Sequence, residues 1–224
     1  MMLNFGRIGR IEWMSIRWDT ARLGLTAILF AVLMQGYAQS DADPMTDIMK
    51  HRQKQEDELR DPKKSPLEKK ERKRFKGLNY YDIDLSYRVN VRFVKTENPS
   101  IFKMKTTTSR LPDYVKYGEV YFTLFDRECK LEVYQSPEIS AKPGYEDYLF
   151  IPFTDETNGK ETYDVGRYLE FRIPKTEDIV LDFNKCYNPY CSYSPNYSCP
   201  IPPEVNYLPM EIKSGEKKFR NEAH

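Results

Sequence analysis

The stretch LSYRVNVRF (Leu85–Phe93) decides the fold class of this chain. Apolar and polar side chains alternate through it with a period of two. The apolar set is Leu85, Tyr87, Val89, Val91 and Phe93. Because successive side chains of a β-strand point to opposite faces of the sheet, this alternation predicts a strand with one buried face. It is the clearest strand pattern in the sequence, and the β body is expected to begin near Tyr80.

Further strand-like segments follow, with turn signals between them and no helical interludes. They are Phe102–Thr107, Glu119–Phe125, Lys130–Tyr134, Tyr148–Phe153, Arg167–Ile173, Ile179–Phe183 and Met210–Ser214. Asp126-Arg127-Glu128 is typical of a short hairpin connection. This pattern predicts a mostly β protein, an antiparallel sandwich or open barrel of about seven or eight short strands.

The N-terminus has the layout of a secretory signal peptide over residues 1–38. Residues 23–38 read LGLTAILFAVLMQGYA, an apolar run that follows Arg17 and Arg22 and ends in small residues before Gln39. The run is shorter than the about 20 residues that a spanning helix needs. We therefore expect cleavage, export to the periplasm or the medium, and no stable membrane span afterwards. A retained membrane anchor is the alternative.

A charged arm is expected at residues 39–76, ahead of a single β domain at 77–217 and a mobile tail at 218–224. Asp43-Pro44 and Ser65-Pro66 both have the form of a helix start, with a capping side chain followed by proline. Ser65 and Glu68 also fit a capping box. Two helices are predicted, at about 44–60 and 66–75, lying on the surface of the β domain.

Composition excludes some classes of partner. The 224 residues include 35 basic and 34 acidic side chains, a net charge of +1, whereas a nucleic-acid-binding surface needs a basic excess on one face. No nucleic-acid partner is expected, and no cofactor motif is present. The oligomeric state is left open.

The four cysteines, Cys129, Cys186, Cys191 and Cys199, all follow the predicted signal segment, where an oxidising compartment permits disulfides. Three pairings are possible, and Cys191–Cys199 is preferred because it encloses a short loop. A metal site built on these thiols is disfavoured, since the only histidines are His51 and His224 and there is no C-x-x-C.

The segment Cys186–Pro209 is unusual because it holds six Pro and five Tyr. That much proline excludes a regular helix or a central strand. Tyrosine rings, in contrast, favour burial or a partner over disorder. The segment is predicted to be an ordered Pro/Tyr-rich flap packed over one end of the β body.

A polar turn precedes this flap. Thr154–Gly159 ends in Asn-Gly, a pair that supplies the positive φ of tight turns. Its oxygens, with Glu161, resemble a Ca²⁺ ligand set, but the spacing is not that of the 12-residue calcium loop, so a structural turn is preferred.

Residues 149–217 carry several strings with fixed spacing. They are F-x-D-x-T-x-G-x-E-T-Y-x-x-G-R-Y from Phe153, D-F-N-x-x-Y-N-P-x-C from Asp182, C-P-x-P-P-x-x-N from Cys199, and a closing Gly215-Glu216. Together with the upstream charged helix, they resemble the bacterial family of domain of unknown function 1684 over about residues 50–217. The resemblance implies a shared fold and no known activity.

Three functions are compatible with these residues. The first is an exported module that binds a small ligand, a carbohydrate or another polar metabolite, with the flap tyrosines as the wall of a cleft. Its candidate ligand-binding residues are Glu161, Tyr163, Arg167, Asp182, Asn184, Tyr187 and Asn188. The second is a hydrolase with Glu161 and Asp182 as paired carboxylates, although no complete catalytic motif is present. The third is a structural or envelope-interaction protein, in which Asp182 pairs with Arg167 and the asparagines cap irregular backbone.

Overall fold

Helix α1 (Pro44–Arg60) opens the part of the chain that the computed structural model describes, residues 43–219. Asp43 caps it by accepting from the Thr46 N–H at 3.2 Å, and Pro44 stands in the first turn, where no N–H donor is needed. Ile48 and Leu59 form its buried face. The first predicted helix is confirmed. The predicted signal peptide lies outside the described residues, and no helix within 43–219 is long and apolar enough to cross a membrane.

The second predicted helix is much shorter than expected. Helix α2 (Lys69–Arg72) has a single turn, and its N-cap Glu68 makes no side-chain capping bond. Ser65 Oγ accepts from the Leu67 N–H at 3.1 Å, two residues ahead, in place of the capping box. Serine hydroxyls compete with helices through such local turns. The prediction of a helix over 66–75 was therefore wrong in its extent.

Eight strands form one sheet that curls into an open half-barrel, so the predicted mostly β fold is confirmed. The strands are β1 (Arg88–Lys95), β2 (Ile101–Lys103), β3 (Asp113–Leu124), β4 (Arg127–Gln135), β5 (Tyr148–Asp155), β6 (Arg167–Arg172), β7 (Ile179–Asp182) and β8 (Tyr207–Leu208). The order of the main path is β6-β5-β4-β3-β1-β7, with antiparallel neighbours throughout. β2 pairs with β3, and β8 joins β5 in parallel. Helix α3 (Pro137–Ser140) follows β4.

The β3–β4 hairpin turns at Phe125 and Asp126, so the predicted connection Asp126-Arg127-Glu128 overlaps the turn only at Asp126. Phe125 and Asp126 have φ of 50° and 60°, and Leu124 pairs with Arg127 across them. Two central residues with positive φ suit the twist of a hairpin.

Several predicted strand bounds differ from the structure. β2 ends at Lys103 and not at Thr107, β3 begins at Asp113 and not at Glu119, and β4 begins at Arg127 and not at Lys130. Leu85–Tyr87 is a 3₁₀ turn, because Asp84 Oδ1 accepts from the Ser86 N–H at 2.9 Å, and the strand begins only at Arg88. No strand forms over Met210–Ser214. In that segment the side chain of Arg167 takes the carbonyl oxygens of Ile212 and Ser214, which a neighbouring strand would otherwise use.

The two faces of the sheet bury different kinds of side chain. One face holds the main, largely aliphatic core, which includes Val91, Val120, Leu131, Leu149, Ile151, Phe153, Leu169, Leu181 and Phe183. The alternate residues of the same strands form an aromatic face on the other side, with Met104, Tyr114, Tyr134, Phe150 and Tyr168. Because the aromatic face is also buried, another segment of the chain must cover it.

The flap, Cys186–Pro209, covers the aromatic face, as an ordered segment. Its backbone forms two isolated bridges to the rest of the fold, Tyr168 with Tyr187 and Thr106 with Pro200, and its last residues form β8 beside β5. Two 3₁₀ turns, Tyr190–Ser192 and Glu204–Asn206, shape the rest.

Asn206 anchors the far end of the flap between β4 and β5. Its Oδ1 accepts from the Glu132 N–H at 2.7 Å, and its Nδ2 donates to Glu132 O at 2.9 Å and Pro152 O at 2.7 Å. Pro152 has no N–H to offer β4, so the asparagine amide replaces a stretch of backbone pairing there.

Candidate functional site

Arg167 is completely buried at the start of β6. Its Nη2 donates to Asp155 Oδ2 at 2.7 Å and to Ile212 O at 2.8 Å, and its Nη1 donates to Ser214 O at 2.6 Å. The charge partner of Arg167 is thus Asp155 and not Asp182. The guanidinium ties β5 and β6 to the irregular segment that follows the flap, and its contacts are internal.

The polar turn after β5 uses its oxygens for its own hydrogen bonds. Asp155 Oδ1 accepts from the Thr157 N–H at 2.7 Å, and Asn158 Oδ1 accepts from the Asp155 N–H at 2.6 Å. Asn158 Nδ2 donates to Tyr163 O at 2.7 Å, and Gly159 has φ of +77°. The arrangement is that of a structural turn.

Glu216 lies buried beside this group and holds the flap. Its carboxylate accepts from the Asn188 N–H at 2.9 Å, from Asn188 Nδ2 at 2.8 Å and from the Tyr193 hydroxyl at 2.5 Å. Burial raises the pKa of Glu216 to about 7. We refer to Asp155, Arg167, Glu216 and the backbone of residues 212–216 as the buried frame.

Gly215 is required for this close packing. Its φ is +75°, and a Cβ on it would lie 2.3 Å from Cys186 Sγ. Any side chain at this position would displace the buried frame, since only glycine adopts such a φ without strain.

Asp182 and Asn184 form a second internal network. Asp182 Oδ1 accepts from the Asn184 N–H and from Asn184 Nδ2, each at 2.9 Å. Asn184 also bonds to both backbone groups of Asp84, at 3.0 Å to the N–H and 2.8 Å to the carbonyl oxygen. Arg88 Nε lies 3.9 Å from Asp182 Oδ2.

Glu161 lies in another environment. Its side chain is 44% exposed and 3.8 Å from Lys213 Nζ. Glu161 thus faces Lys213 at the surface, whereas Asp182 is buried and bonded to Asn184.

All four cysteines are free thiols, and Cys191 and Cys199 are neighbours. The Cys191 N–H donates to Cys199 Sγ at 3.2 Å, and the Tyr163 hydroxyl donates to Cys191 Sγ at 3.5 Å. A hydrogen bond from the Cys199 thiol lowers the pKa of Cys191 to about 6, while the same contact raises the pKa of Cys199.

A cavity of about 340 Å³ lies between helix α1, the aromatic face of the sheet and the flap. We call it the tyrosine cavity, because seven tyrosines line it: Tyr114, Tyr148, Tyr168, Tyr187, Tyr190, Tyr193 and Tyr197. Three of them come from the sheet and four from the flap. Tyr187 and Asn188 are the predicted ligand-binding residues that the structure places in its wall.

Several rings of the tyrosine cavity are held by edge-to-face contacts. Tyr168 meets Tyr187 with ring centroids 5.9 Å apart, and Tyr190 meets Tyr197 at 5.2 Å. The Tyr168 hydroxyl donates to Pro200 O. Such contacts orient the rings and favour a wall that is formed before any ligand arrives.

Charged side chains line the same cavity without being paired. Lys54, Glu58 and Glu170 contribute to its lining, and none of their side chains makes a hydrogen bond or ion pair within residues 43–219. Burial first, and then the negative charge of Glu58, raise the pKa of Tyr190. His51 also lines the cavity, and burial lowers its pKa to about 4, so it is neutral at pH 7.

Asn188 lines the cavity, but its amide is fixed inside the protein. Its Nδ2 donates to Glu216 Oε1 and to Lys217 O, both at 2.8 Å, which sets the orientation of the amide. Asn188 Oδ1 is buried without a hydrogen-bond partner, which costs free energy that the two bonds from Nδ2 offset.

Sequence reasoning missed the floor of the cavity and its helical side. Tyr148, Phe150, Tyr168 and Glu170 lie on the face of β5 and β6 opposite to the aliphatic core. The available signal was in the alternation of these two strands: Tyr148, Phe150 and Tyr168 are aromatic at positions that alternate with the aliphatic core residues. His51 and Glu58 had no such signal, since the docking of α1 against the flap is a tertiary contact.

Comparison with known proteins adds a family and a solved relative. The family model described as protein of unknown function (DUF1684) matches residues 73–217. The solution NMR structure of an uncharacterised protein of Haloarcula marismortui is 33% identical in sequence, with a TM-score of 0.61 over 77% of this chain and 93% of that one. No curated protein sequence matches the chain.

Proposed function

Since this chain belongs to the DUF1684 family, whose description assigns no activity, we propose its function from the geometry of the tyrosine cavity. The protein is a binding module for a small polar ligand, a carbohydrate or another polar metabolite. The observation that carries this proposal is one cavity of about 340 Å³ with seven tyrosines in its wall.

Size and lining both support ligand binding. Small-molecule sites are mostly apolar concavities of about 300–1,000 Å³ that carry a few oriented polar groups. Tyrosine rings offer flat apolar faces to the C–H surfaces of such a ligand, and their hydroxyls offer hydrogen bonds. The unpaired Lys54, Glu58 and Glu170 supply the polar groups.

The contrast with the other candidate residues narrows the proposal. The side chains of Arg167, Asp182 and Asn184 bond within the fold. We therefore base ligand contact on Tyr187 and Asn188 from the predicted set, together with the newly found cavity residues.

Export is part of the proposal and rests on the sequence of residues 1–38. In an oxidising compartment, Cys191 and Cys199 would lose two protons and two electrons to a disulfide oxidant and form a bond. The contact between the Cys191 N–H and Cys199 Sγ at 3.2 Å supports this pairing, because it holds the two residues side by side. The bond would close a short loop in the flap and stabilise it by roughly 2–3 kcal/mol.

A thermal-shift screen of the full chain tests the binding function. The panel contains monosaccharides, cell-wall fragments, amino acids and small amines. A ligand present at about 100 times its Kd stabilises the native state by about 2.7 kcal/mol, which raises the Tm measurably.

The screen is repeated on Tyr190→Ala and on Tyr207→Ala as the matched control. Both tyrosines belong to the flap and are similarly exposed, at 39% and 45%, but Tyr207 does not line the cavity. A compound that shifts the Tm of the wild type and of Tyr207→Ala, but not of Tyr190→Ala, supports the proposal. A panel without any such compound contradicts it.

A further inference from the structure

The charges around the tyrosine cavity are unbalanced in one direction. Two carboxylates, Glu58 and Glu170, line it against one lysine, Lys54, while His51 is neutral at pH 7. Neither carboxylate has an ion-pair partner in the described part of the chain. Their excess negative charge therefore acts on whatever enters the cavity.

Both carboxylates act on the same part of the wall. The negative charge of Glu170 contributes to the raised pKa values of Tyr148, Tyr187 and Tyr190, after burial in each case. Glu58 acts on Tyr190 as well. Glu170 in β6 and Glu58 in α1 thus both place negative charge close to the same group of tyrosine rings.

Aromatic faces attract cations, because the face of each ring carries the negative part of its quadrupole. One tyrosine of the cavity wall already binds a cation on its outer side. The Arg172 guanidinium, which is paired with Asp147, lies 5.3 Å from the centre of the Tyr148 ring. Rings that are flanked by unpaired carboxylates suit a cation better than a neutral or anionic ligand.

We propose that the ligand of the tyrosine cavity is a small organic ammonium ion. Its charge lies against the tyrosine rings, on the side of the cavity that Glu58 and Glu170 line. This inference rests on the proposed binding function and names the chemical class of ligand.

The test is calorimetric titration of the full chain with four probes. They are choline, tetramethylammonium, the uncharged isostere of choline in which carbon replaces nitrogen, and glucose. Choline is expected to bind at least about ten-fold more tightly than its uncharged isostere, because only the cation interacts with the ring faces and the carboxylates. Tetramethylammonium, which carries the same charge as choline, is also expected to bind more tightly than the uncharged isostere.

Variants of the two carboxylates test whether their charges contribute to the affinity for choline. Glu58→Gln and Glu170→Gln should each lower the affinity for choline by about three-fold or more, because each removes one negative charge from the cavity. Glu128→Gln is the matched control, since Glu128 is an exposed carboxylate that does not line the cavity. It should leave the affinity unchanged.

Each other outcome has a definite meaning. Equal binding of choline and its isostere, or binding of glucose alone, overturns the ammonium inference while the binding function stands. Failure of all four probes at about 10 mM also overturns it. In that case the Tyr190-dependent thermal-shift screen decides the binding function separately.

Discussion

The buried frame and the tyrosine cavity are adjacent, but their charged side chains are paired in the first and unpaired in the second. In the buried frame, the side chains of Arg167 and Asp155 are both 0% exposed and bond to each other and to backbone. In the tyrosine cavity, Glu58 and Glu170 have no ion-pair partner within residues 43–219. Paired groups hold a fold, and unpaired groups are available to a ligand.

The comparison also separates sequence signature from function. The fixed spacing of residues 153–168 and 182–216 falls largely on side chains that stabilise the fold, such as Asp155, Arg167 and Glu216. The binding surface that we propose uses the tyrosines of the flap together with strand residues that no motif identifies.

The largest expected effect comes from breaking the buried frame at Arg167. Arg167→Ala leaves Asp155 as an uncompensated buried charge and removes the donors to Ile212 O and Ser214 O. We expect the free energy of unfolding to fall by about 3–5 kcal/mol. Urea unfolding followed by circular dichroism measures this.

Arg172→Ala is the control for that variant, from the same strand. Its ion pair with Asp147 is solvent-exposed, with 47% and 39% of the two side chains accessible, and should contribute about 1 kcal/mol or less. Equal losses for the two variants would show that Arg167 has no special structural role.

A smaller effect of the buried frame is the pH dependence that Glu216 gives to the free energy of unfolding. Burial raises its pKa from 4.5 to about 7, so the folded state binds a proton more tightly than the unfolded state does. The contribution of Glu216 to the free energy of unfolding is greatest below pH 4.5 and decreases as the pH rises to about 7, by roughly 3 kcal/mol.

Comparison of the wild type with Glu216→Gln isolates the pH-dependent contribution of Glu216 to the free energy of unfolding. His51 titrates in the opposite sense, since burial lowers its pKa to about 4, but it is present in both proteins and cancels. The difference in unfolding free energy between wild type and Glu216→Gln should therefore decrease from pH 4.5 to pH 7. A difference that is constant with pH would mean that Glu216 is ionised throughout.

The smallest effect on stability is expected in the tyrosine cavity. Tyr190→Ala removes a ring that is 39% exposed and packs mainly on Tyr197, so the free energy of unfolding should fall by about 1 kcal/mol or less. Urea unfolding of this variant beside Arg167→Ala measures the contrast. A loss of about 3 kcal/mol or more would make Tyr190 part of the structural core.

Local patterns in the sequence were sufficient to predict the type of fold. The alternation around Val89 and Val91 predicted a strand, and the prolines of Cys186–Pro209 predicted an irregular flap. Boundaries failed where side chains bond locally, as Asp84 does to the Ser86 N–H and Ser65 does to the Leu67 N–H.

Partners distant in sequence could not be predicted in this way. Arg167 pairs with Asp155 because the β5–β6 register places Arg167 opposite Phe153, and a single sequence does not reveal that register. The floor of the tyrosine cavity depends in the same way on which face of β5 the flap covers. The flap tyrosines were predicted as a wall because their rings require burial, whereas His51 and Glu58 reach the cavity only through the docking of α1.

The measurement that tests the central claim most directly is an NMR spectrum of the tyrosine rings, with and without choline. The chain contains 17 tyrosines, and seven of them line the cavity. We predict that saturating choline shifts the resonances of these seven rings, most strongly Tyr190 and Tyr148, and leaves Tyr121 and Tyr207 unchanged. Unshifted cavity resonances, or equal shifts at Tyr121 and Tyr207, would contradict the assignment of the tyrosine cavity as the site of an ammonium ligand.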